Sequence, residues 1–238
     1  MKPSVITETI YSICAEVNAQ NRPPLDWCIL SEEELMYEAA VCIVGSQTAY
    51  ELAVATADHL RHSGLFQFLG SGFDRAGYEA CIVSALSDPV VVLSPDGIAR
   101  WMRPRFHRRS ASLLAKTRAN IHGAGMSIKE LLLTTVSAKD ARQLLVRQVS
   151  GFGPKQASLF LRRIGFSADL AVLDVHIIDY LRIAWGLTYQ LEKLARLPFY
   201  EHVEDEFCHI ADTFGYSVGC VDLATWLTMR VAKREAYI

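Results

Sequence analysis

The sequence predicts an all-α protein. Three observations carry that expectation. Apolar residues recur at helical spacing along most of the 238-residue chain. Helix-start and helix-stop signals punctuate it, such as Ser31 with Glu34 as a capping box and the breakers Asn21-Arg22-Pro23-Pro24, Leu69-Gly70-Ser71-Gly72, Ser94-Pro95-Asp96-Gly97 and His122-Gly123-Ala124-Gly125. Only Val90 to Leu93 reads as a short strand, and a β-branched run of four fits helix or strand.

On this reading helices run over about 4–19, 32–44, 47–62, 75–87, 110–122, 127–134, 138–149, 155–164, 175–185, 189–196, 200–213 and 219–232. Hydrophobic residues make up 51% of the chain, enough for a sizeable core, and the length fits one large or two small domains. No repeat or low-complexity segment interrupts it. No run reaches the roughly 20 apolar residues of a membrane span. Met1-Lys2-Pro3-Ser4 opens the chain with Glu8 soon after, so no signal peptide is expected and a cytoplasmic, nucleoid-associated protein is.

The densest information lies between residues 141 and 178. Leu144, Leu145 and Val149 mark a helix, after which Gly151 and Gly153 bracket Phe152. Glycine allows left-handed backbone and close approach, so the pair predicts a tight turn with exposed amides and Phe152 plugged into the core. Pro154 suits a helix's first turn, because its missing N–H would be unpaired there. The next helix carries Ala157, Phe160, Leu161 and Ile164 on one face and stops at Gly165. Its start would hold a phosphate without reading a base. Lys155 just inside it is either a basic residue of such a grip or a nucleophile. Leu170 to Leu173 then form an apolar, strand-like run ending at Asp174, which is placed to N-cap a helix from Val175 to about Ala184. Asp174 is a plain cap or a carboxylate held on a rigid helix start.

This arrangement resembles the lysine-type helix-hairpin-helix (HhH-GPD) DNA glycosylases. In these a lysine follows the hairpin glycine, and an aspartate comes about one helix and one loop later, before a Val-His or Arg-His pair. Here Lys155, Asp174, Val175 and His176 stand in those places. Gly-Pro-Lys-Gln-Ala-Ser-Leu-Phe-Leu-Arg-Arg-Ile-Gly and Leu-Asp-Val-His-Ile-Ile-Asp-Tyr look closest to the compact archaeal-type 8-oxoguanine DNA glycosylase/AP lyase branch.

The resemblance implies a two-lobed helical fold with its helix-hairpin-helix motif at about 141–164. The unit would span 1–238, with a hairpin-containing lobe over about 45–188 and a lobe of 1–44 plus 189–238. Between them a cleft would take a nucleotide flipped out of the duplex, since a base inside the stack cannot be reached. Lys155 would attack the sugar C1′ as a neutral amine and form a Schiff base that permits β-elimination. Asp174 would stabilise charge on the sugar and shuttle protons. Gly151, Phe152, Gly153, Arg105, Arg108, Arg109 and His176 would contact DNA. Gln47, in Gly45-Ser46-Gln47-Thr48, would fill the gap left by the flipped base, or simply lie in a surface turn. Trp226, in Asp222-Leu223-Ala224-Thr225-Trp226, would stack on the extruded base with Phe106 as an opposing aromatic; the competing reading of Trp226 is plain core.

The chain departs from the branch pattern twice. The archaeal-type enzymes end on a lysine that contacts the lesion, whereas this sequence ends Arg234-Glu235-Ala236-Tyr237-Ile238; residues 64–100 are also longer than that pattern. Alternative readings therefore stand beside oxidised-purine excision. One is action on a different modified base, for example in bacterial defence against phage. The other is a non-catalytic nucleic-acid-binding or interaction subunit.

Composition limits the partners. The six cysteines, at 14, 28, 42, 81, 208 and 220, form no Cys-x-x-Cys pair, which excludes the four-cysteine iron–sulfur loop of some helix-hairpin-helix glycosylases and gives no support to a zinc site. They are expected to be reduced and structural, and no cofactor or metal is implied. A net charge of −2 is unusual for a DNA binder. The charge is segregated, however. From Gly97 to Lys129 there is no acidic residue but Arg100, Arg103, Arg105, Arg108, Arg109, Lys116, Arg118 and Lys129, while Glu201 to Asp212 is acidic. A basic face suits duplex DNA with a damaged or modified base, bound by a monomer; a solvated helix face is the alternative.

Overall fold

The computed structural model describes residues 3–20, 26–46, 48–67, 73–93 and 97–235. Among these, eleven α-helices account for most of the chain: α1 Pro3–Ala19, α2 Glu32–Val44, α3 Tyr50–His62, α4 Arg75–Ser87, α5 His107–Ile121, α6 Ile128–Leu133, α7 Ala138–Gln148, α8 Pro154–Arg163, α9 Val175–Trp185, α10 Leu197–Asp212 and α11 Val218–Glu235. The all-α expectation holds. Its local signals hold as well. Ser31 and Glu34 close a capping box at the start of α2, and Ser127 and Glu130 close a second at α6.

Two expectations differ. Residues 189–196 are not a helix; they contain a 3-10 turn, Leu191–Ala195. Arg196 is extended, and α10 starts afresh with Pro198 in its first turn. Proline has no N–H to return to the preceding turn, so a helix cannot run through that point. The second difference is that the short strand offered by Val90 to Leu93 has a partner. Val90 to Leu93 form β1 (Val90–Leu93), which pairs antiparallel with β2 (Ala99–Met102) in the register Val90↔Met102, Val91↔Trp101, Val92↔Arg100 and Leu93↔Ala99. Val90 and Val92 turn inward onto Leu52 and Ala55 of α3, which fixes the face that β1 presents to its unit. Ala99-Arg100-Trp101-Met102 has no alternation of its own; its pairing comes from β1.

The chain gathers into two compact units, residues 26–152 and residues 1–25 with 153–238. This division falls elsewhere than the expected 45–188 lobe, and it cuts the hairpin between Phe152 and Gly153. In the unit of 26–152, α4 packs on α5 and α2 on α3. The rear of α2, Ala39 to Val44, is buried throughout. In the other unit, α1, α9 and α11 pack together around Ile10, Tyr180, Tyr200, Phe207 and Val221.

The least ordinary packing concerns the run before Asp174. Leu170 to Leu173 are buried and extended, as the apolar run predicts, but they pair with no strand. Buried amides need partners, and side chains of α10 and α11 supply them. The Ala171 N–H donates to Glu204 Oε1 at 3.0 Å, the Val172 N–H to Asp222 Oδ2 at 2.7 Å, and the Leu173 N–H to the Tyr200 hydroxyl at 3.1 Å. That hydroxyl donates in turn to the Ala171 carbonyl at 2.8 Å. Asp222 also takes the Arg162 guanidinium from α8 on Oδ1, and Arg162 donates a second bond to the Gly219 carbonyl at 2.7 Å. Burial pushes the Asp222 carboxyl up, against the opposing pull of Arg162 and the Val172 N–H. One carboxylate thereby joins α8, α11 and the segment leading to Asp174.

Removing that carboxylate strands a part-buried guanidinium and a buried amide together. Asp222→Ala is expected to lower stability by about 3–5 kcal/mol, and Tyr200→Phe, which removes two neutral bonds, by about 1–3 kcal/mol. Urea unfolding midpoints measure both. Equal losses in the two variants would contradict this ranking.

Candidate active site

The hairpin is built by two different glycines. Gly151 has φ +91°, a backbone conformation that demands glycine, and a Cβ there would come within 2.8 Å of Leu113 Cδ1, which would have to shift. Gly153 is extended, at φ −97° and ψ −178°, a conformation open to any residue. The tight turn that the pair predicts is built from one left-handed glycine and one extended N-cap. Phe152 is buried, as predicted, and its N–H donates to the Val149 carbonyl at 3.1 Å. α5 holds the entry to this turn. Thr117 Oγ1 accepts the Ser150 N–H at 3.0 Å, and Asn120 Nδ2 donates to the Gln148 carbonyl at 3.3 Å. Neither residue stood out in the sequence, because a polar side chain on a helix gives no sign of a loop it meets thirty residues later.

Past the hairpin, α8 begins on Pro154 with no side-chain cap from Gly153. Its first amides are thus left for an outside acceptor, and a phosphate suits them. Lys155 sits in this first turn and is half-buried.

Asp174 caps α9, as expected. Its Oδ1 accepts the His176 N–H at 2.8 Å and the Ile177 N–H at 3.1 Å. Its own N–H donates to the Val172 carbonyl at 2.7 Å. The cap employs Oδ1 alone, so the helix start fixes the carboxylate without using Oδ2. Lys155 and Asp174 each stand at the first turn of a helix, and both belong to the unit containing 153–238.

His176 and Trp226 meet in this same unit. The imidazole lies edge-on to the indole, 6.1 Å between centroids at 85°. Arg230, one turn on along α11, lays its guanidinium 4.8 Å from the centre of the Trp226 ring. Trp226 is half-buried and packs on the core, so it is neither a free stacking surface nor a fully buried core residue. His176 Nδ1 is buried without a hydrogen-bond partner, and so is Thr225 Oγ1 beside Trp226. Burial depresses the His176 pKa; Lys233 and Arg230 depress it further, against the pull of Asp174 and Asp179. Asp179 is itself paired with Lys233 and with Arg182.

The remaining expected residues lie in the unit of 26–152. Arg105, Arg108 and Arg109 are exposed at the start of α5, and Arg105 leans over Phe106 at 6.0 Å. Phe106, the N-cap position, is 44% exposed and gives α5 no side-chain cap. An uncapped helix start ringed by arginines favours an anion. Gln47 lies outside the described residues. Arg118, counted with the basic face in the sequence, does not belong to it. It is buried, donates to the carbonyls of Leu65 at 2.9 Å and Gln67, and lies over the rings of Tyr78 at 4.7 Å and Phe73 at 5.6 Å. The sequence contains the signal: Ala111, Leu114, Ala115 and Arg118 share one helical face.

Among the described residues no cluster of three or more His, Cys, Asp or Glu could hold a metal ion. No described helix is long and apolar enough to cross a membrane.

The environment of His176 sets a pH dependence. Its folded pKa lies below the ordinary histidine value of about 6.5, so the stability it contributes is present above that pH and is lost as pH falls through the depressed value. His176→Gln should flatten the acid side of the stability profile. An imidazole resonance of His176 titrating above pH 6.5 by NMR would refute this.

Comparison with known proteins places this geometry. Residues 75–216, which include the whole hairpin, Lys155, Asp174 and His176, match the family Ogg-HhH, 8-oxoguanine DNA glycosylase. The 8-oxoguanine DNA glycosylase/AP lyase of Korarchaeum cryptofilum is 28% identical over 148 residues, covering 61% of this chain and 68% of the relative. That of Thermoplasma volcanium is 40% identical over 88 residues, 37% of this chain and 41% of the relative, so the chain matches about two fifths of that protein's length. Among solved structures, the Methanocaldococcus jannaschii 8-oxoguanine glycosylase/lyase in complex with a 15mer DNA containing 8-oxoguanine superposes with a TM-score of 0.64 at 21% identity, over 94% of this chain and 88% of that one. A helical fold of this kind, a family match running through the hairpin and both helix starts, and archaeal relatives of the same description lead to one conclusion: this chain belongs to the helix-hairpin-helix 8-oxoguanine DNA glycosylase family, in its archaeal-type branch.

Proposed function

We propose that the chain is a bifunctional DNA glycosylase and AP lyase that excises an oxidised purine, 8-oxoguanine, from duplex DNA. The observation that carries this reading is the pair of helix starts, Lys155 in the first turn of α8 and Asp174 capping α9, within one compact unit and within the matched family segment. The relatives named 8-oxoguanine DNA glycosylase/AP lyase support the reaction type and the substrate class.

The chemistry follows from these two residues. The Lys155 amine attacks C1′, the glycosidic C–N bond breaks, and the base leaves with the bonding pair and takes up a proton. The C1′–N bond that forms collapses to a protonated imine as the sugar ring opens. That imine acidifies C2′; loss of a C2′ proton expels the 3′ phosphate, and water then releases Lys155. Asp174, anchored through Oδ1, offsets positive charge on the sugar and carries protons between these steps. The duplex is held by its phosphates, with contacts proposed at the amides of Gly151, Gly153 and the α8 start, at Arg105, Arg108 and Arg109, and at His176. Gln47 is assigned to fill the vacated stack, and Trp226 and Phe106 are each assigned to meet the extruded base. The protein works as a monomer in the cytoplasm.

One observation favours a second reading of the base. The Arg230 guanidinium occupies a face of the Trp226 ring on which a base would stack. A modified base other than 8-oxoguanine, with the same lysine chemistry, accommodates that. A panel of modified duplexes distinguishes the two.

Borohydride trapping on a duplex carrying 8-oxoguanine opposite cytosine is the primary test. A covalent adduct is expected from the natural protein and none from Lys155→Gln. Asp174→Asn keeps a good helix cap and should therefore fold, yet lose roughly 10²- to 10⁴-fold in single-turnover excision. An adduct on an abasic-site duplex alone would assign the lyase and move the base. No adduct on any substrate would leave a non-catalytic binder.

A further inference from the structure

The β1–β2 ribbon has a face that the proposed excision does not use. Val90 and Val92 point inward onto α3. By alternation, Val91 and Leu93 point outward, and the register sets Trp101 directly across from Val91. All three are open to solvent: Val91 is 45% exposed, Leu93 67% and Trp101 73%. An indole that large and that exposed, beside two aliphatic side chains, is an apolar platform of about the dimensions of a base or two.

Its surroundings are cationic. Arg103 and Arg105 follow Trp101 within four residues and both are exposed, whereas Arg100, paired with Val92, belongs to the opposite face of the ribbon. The sequence has no acidic residue from Gly97 to Lys129, the nearest acids in sequence being Asp88 and Asp96. A flat apolar surface edged with arginines complements a polyanion that also offers flat apolar faces. A fully paired duplex fails the second condition, because its base faces are stacked on one another. A strand with unpaired bases meets both. Another protein is the poorer match. Three side chains make a small patch against the roughly 800 Å² per partner of a standard protein interface, and a partner would need an acidic rim to suit the arginines.

We propose that the outer face of the β1–β2 ribbon binds a nucleic-acid strand with unpaired bases, Trp101 stacking on a base and Arg103 meeting a phosphate. This site lies within the unit of 26–152 and stands whether or not Lys155 acts as the nucleophile.

The test uses the full-length chain and a fluorescein-labelled 15-nucleotide oligothymidine, read by anisotropy across a salt series, with a fully paired 15-base-pair duplex in parallel. Trp101→Ala should weaken oligothymidine binding roughly 5- to 150-fold, as the loss of one stacked base predicts, and leave duplex affinity within twofold. Its salt slope should not change, because no charge is removed. Trp101→Phe should restore most of the affinity. Arg103→Gln should instead shallow the slope by about 0.7. The position is exposed, so unaltered far-ultraviolet circular dichroism is expected in every variant. Unchanged oligothymidine binding in Trp101→Ala, or an equal loss for the duplex, would overturn the proposal. So would a wild-type dimer in sedimentation that Trp101→Ala dissociates, since that would give the patch to a second copy of the chain.

Discussion

The structure depends on how four buried residues, Leu170 to Leu173, satisfy their backbone. An extended segment inside a helical unit has no neighbouring strand to accept its amides, and a buried unpaired N–H costs about as much as a lost hydrogen bond. Glu204, Tyr200 and Asp222 meet that requirement from two different helices. Asp222 has the additional task of neutralising Arg162. The Asp174 carboxylate is thus located by the helix it caps and, just upstream, by three side-chain bonds to backbone. A group meant to stabilise a developing charge is most useful when it is positioned before the reaction begins. The arrangement around 170–174 meets that condition with side-chain hydrogen bonds to the backbone and with the core packing of Ala171 and Leu173.

The same logic divides the labour at the hairpin. Gly151 is constrained twice, by its left-handed φ and by Leu113, while Gly153 is constrained by neither. Its value at the N-cap lies in leaving the start of α8 without a side chain between the amides and an incoming phosphate. Thr117 and Asn120 hold the entry to the turn. Each half of the motif is therefore set by its own neighbours.

Much of this was legible in the sequence because it is local. The Ser31 and Glu34 cap, the Pro154 start and the Asp174 cap are each decided within three or four residues, and each was placed from residue identity alone. Phe152 in the core follows from one apolar residue between glycines. Long-range features were not legible. β2 exists through its register with β1, and Ala99 to Met102 carry no pattern of their own. Asp222 looked like the first residue of a helix motif, whereas its partners are Arg162 and Val172, fifty or more residues away. The lobe boundary near 188 came with the resemblance and not from a local signal; compactness follows contacts, which group α8 and α9 with the termini. Arg118 is the instructive middle case. Its helical face was apolar and visible, and the general association of arginine with surfaces outweighed it.

Arg118 also makes local structure depend on one side chain. It grips the carbonyls of Leu65 and Gln67 on one side and the rings of Phe73 and Tyr78 on the other. The residues that leave α3 and those that open α4 are thus both fastened to a single guanidinium of α5. Losing it would strip two carbonyls of their donor and two aromatic faces of their cation at once, so the mutual placement of three helices rests on one arginine.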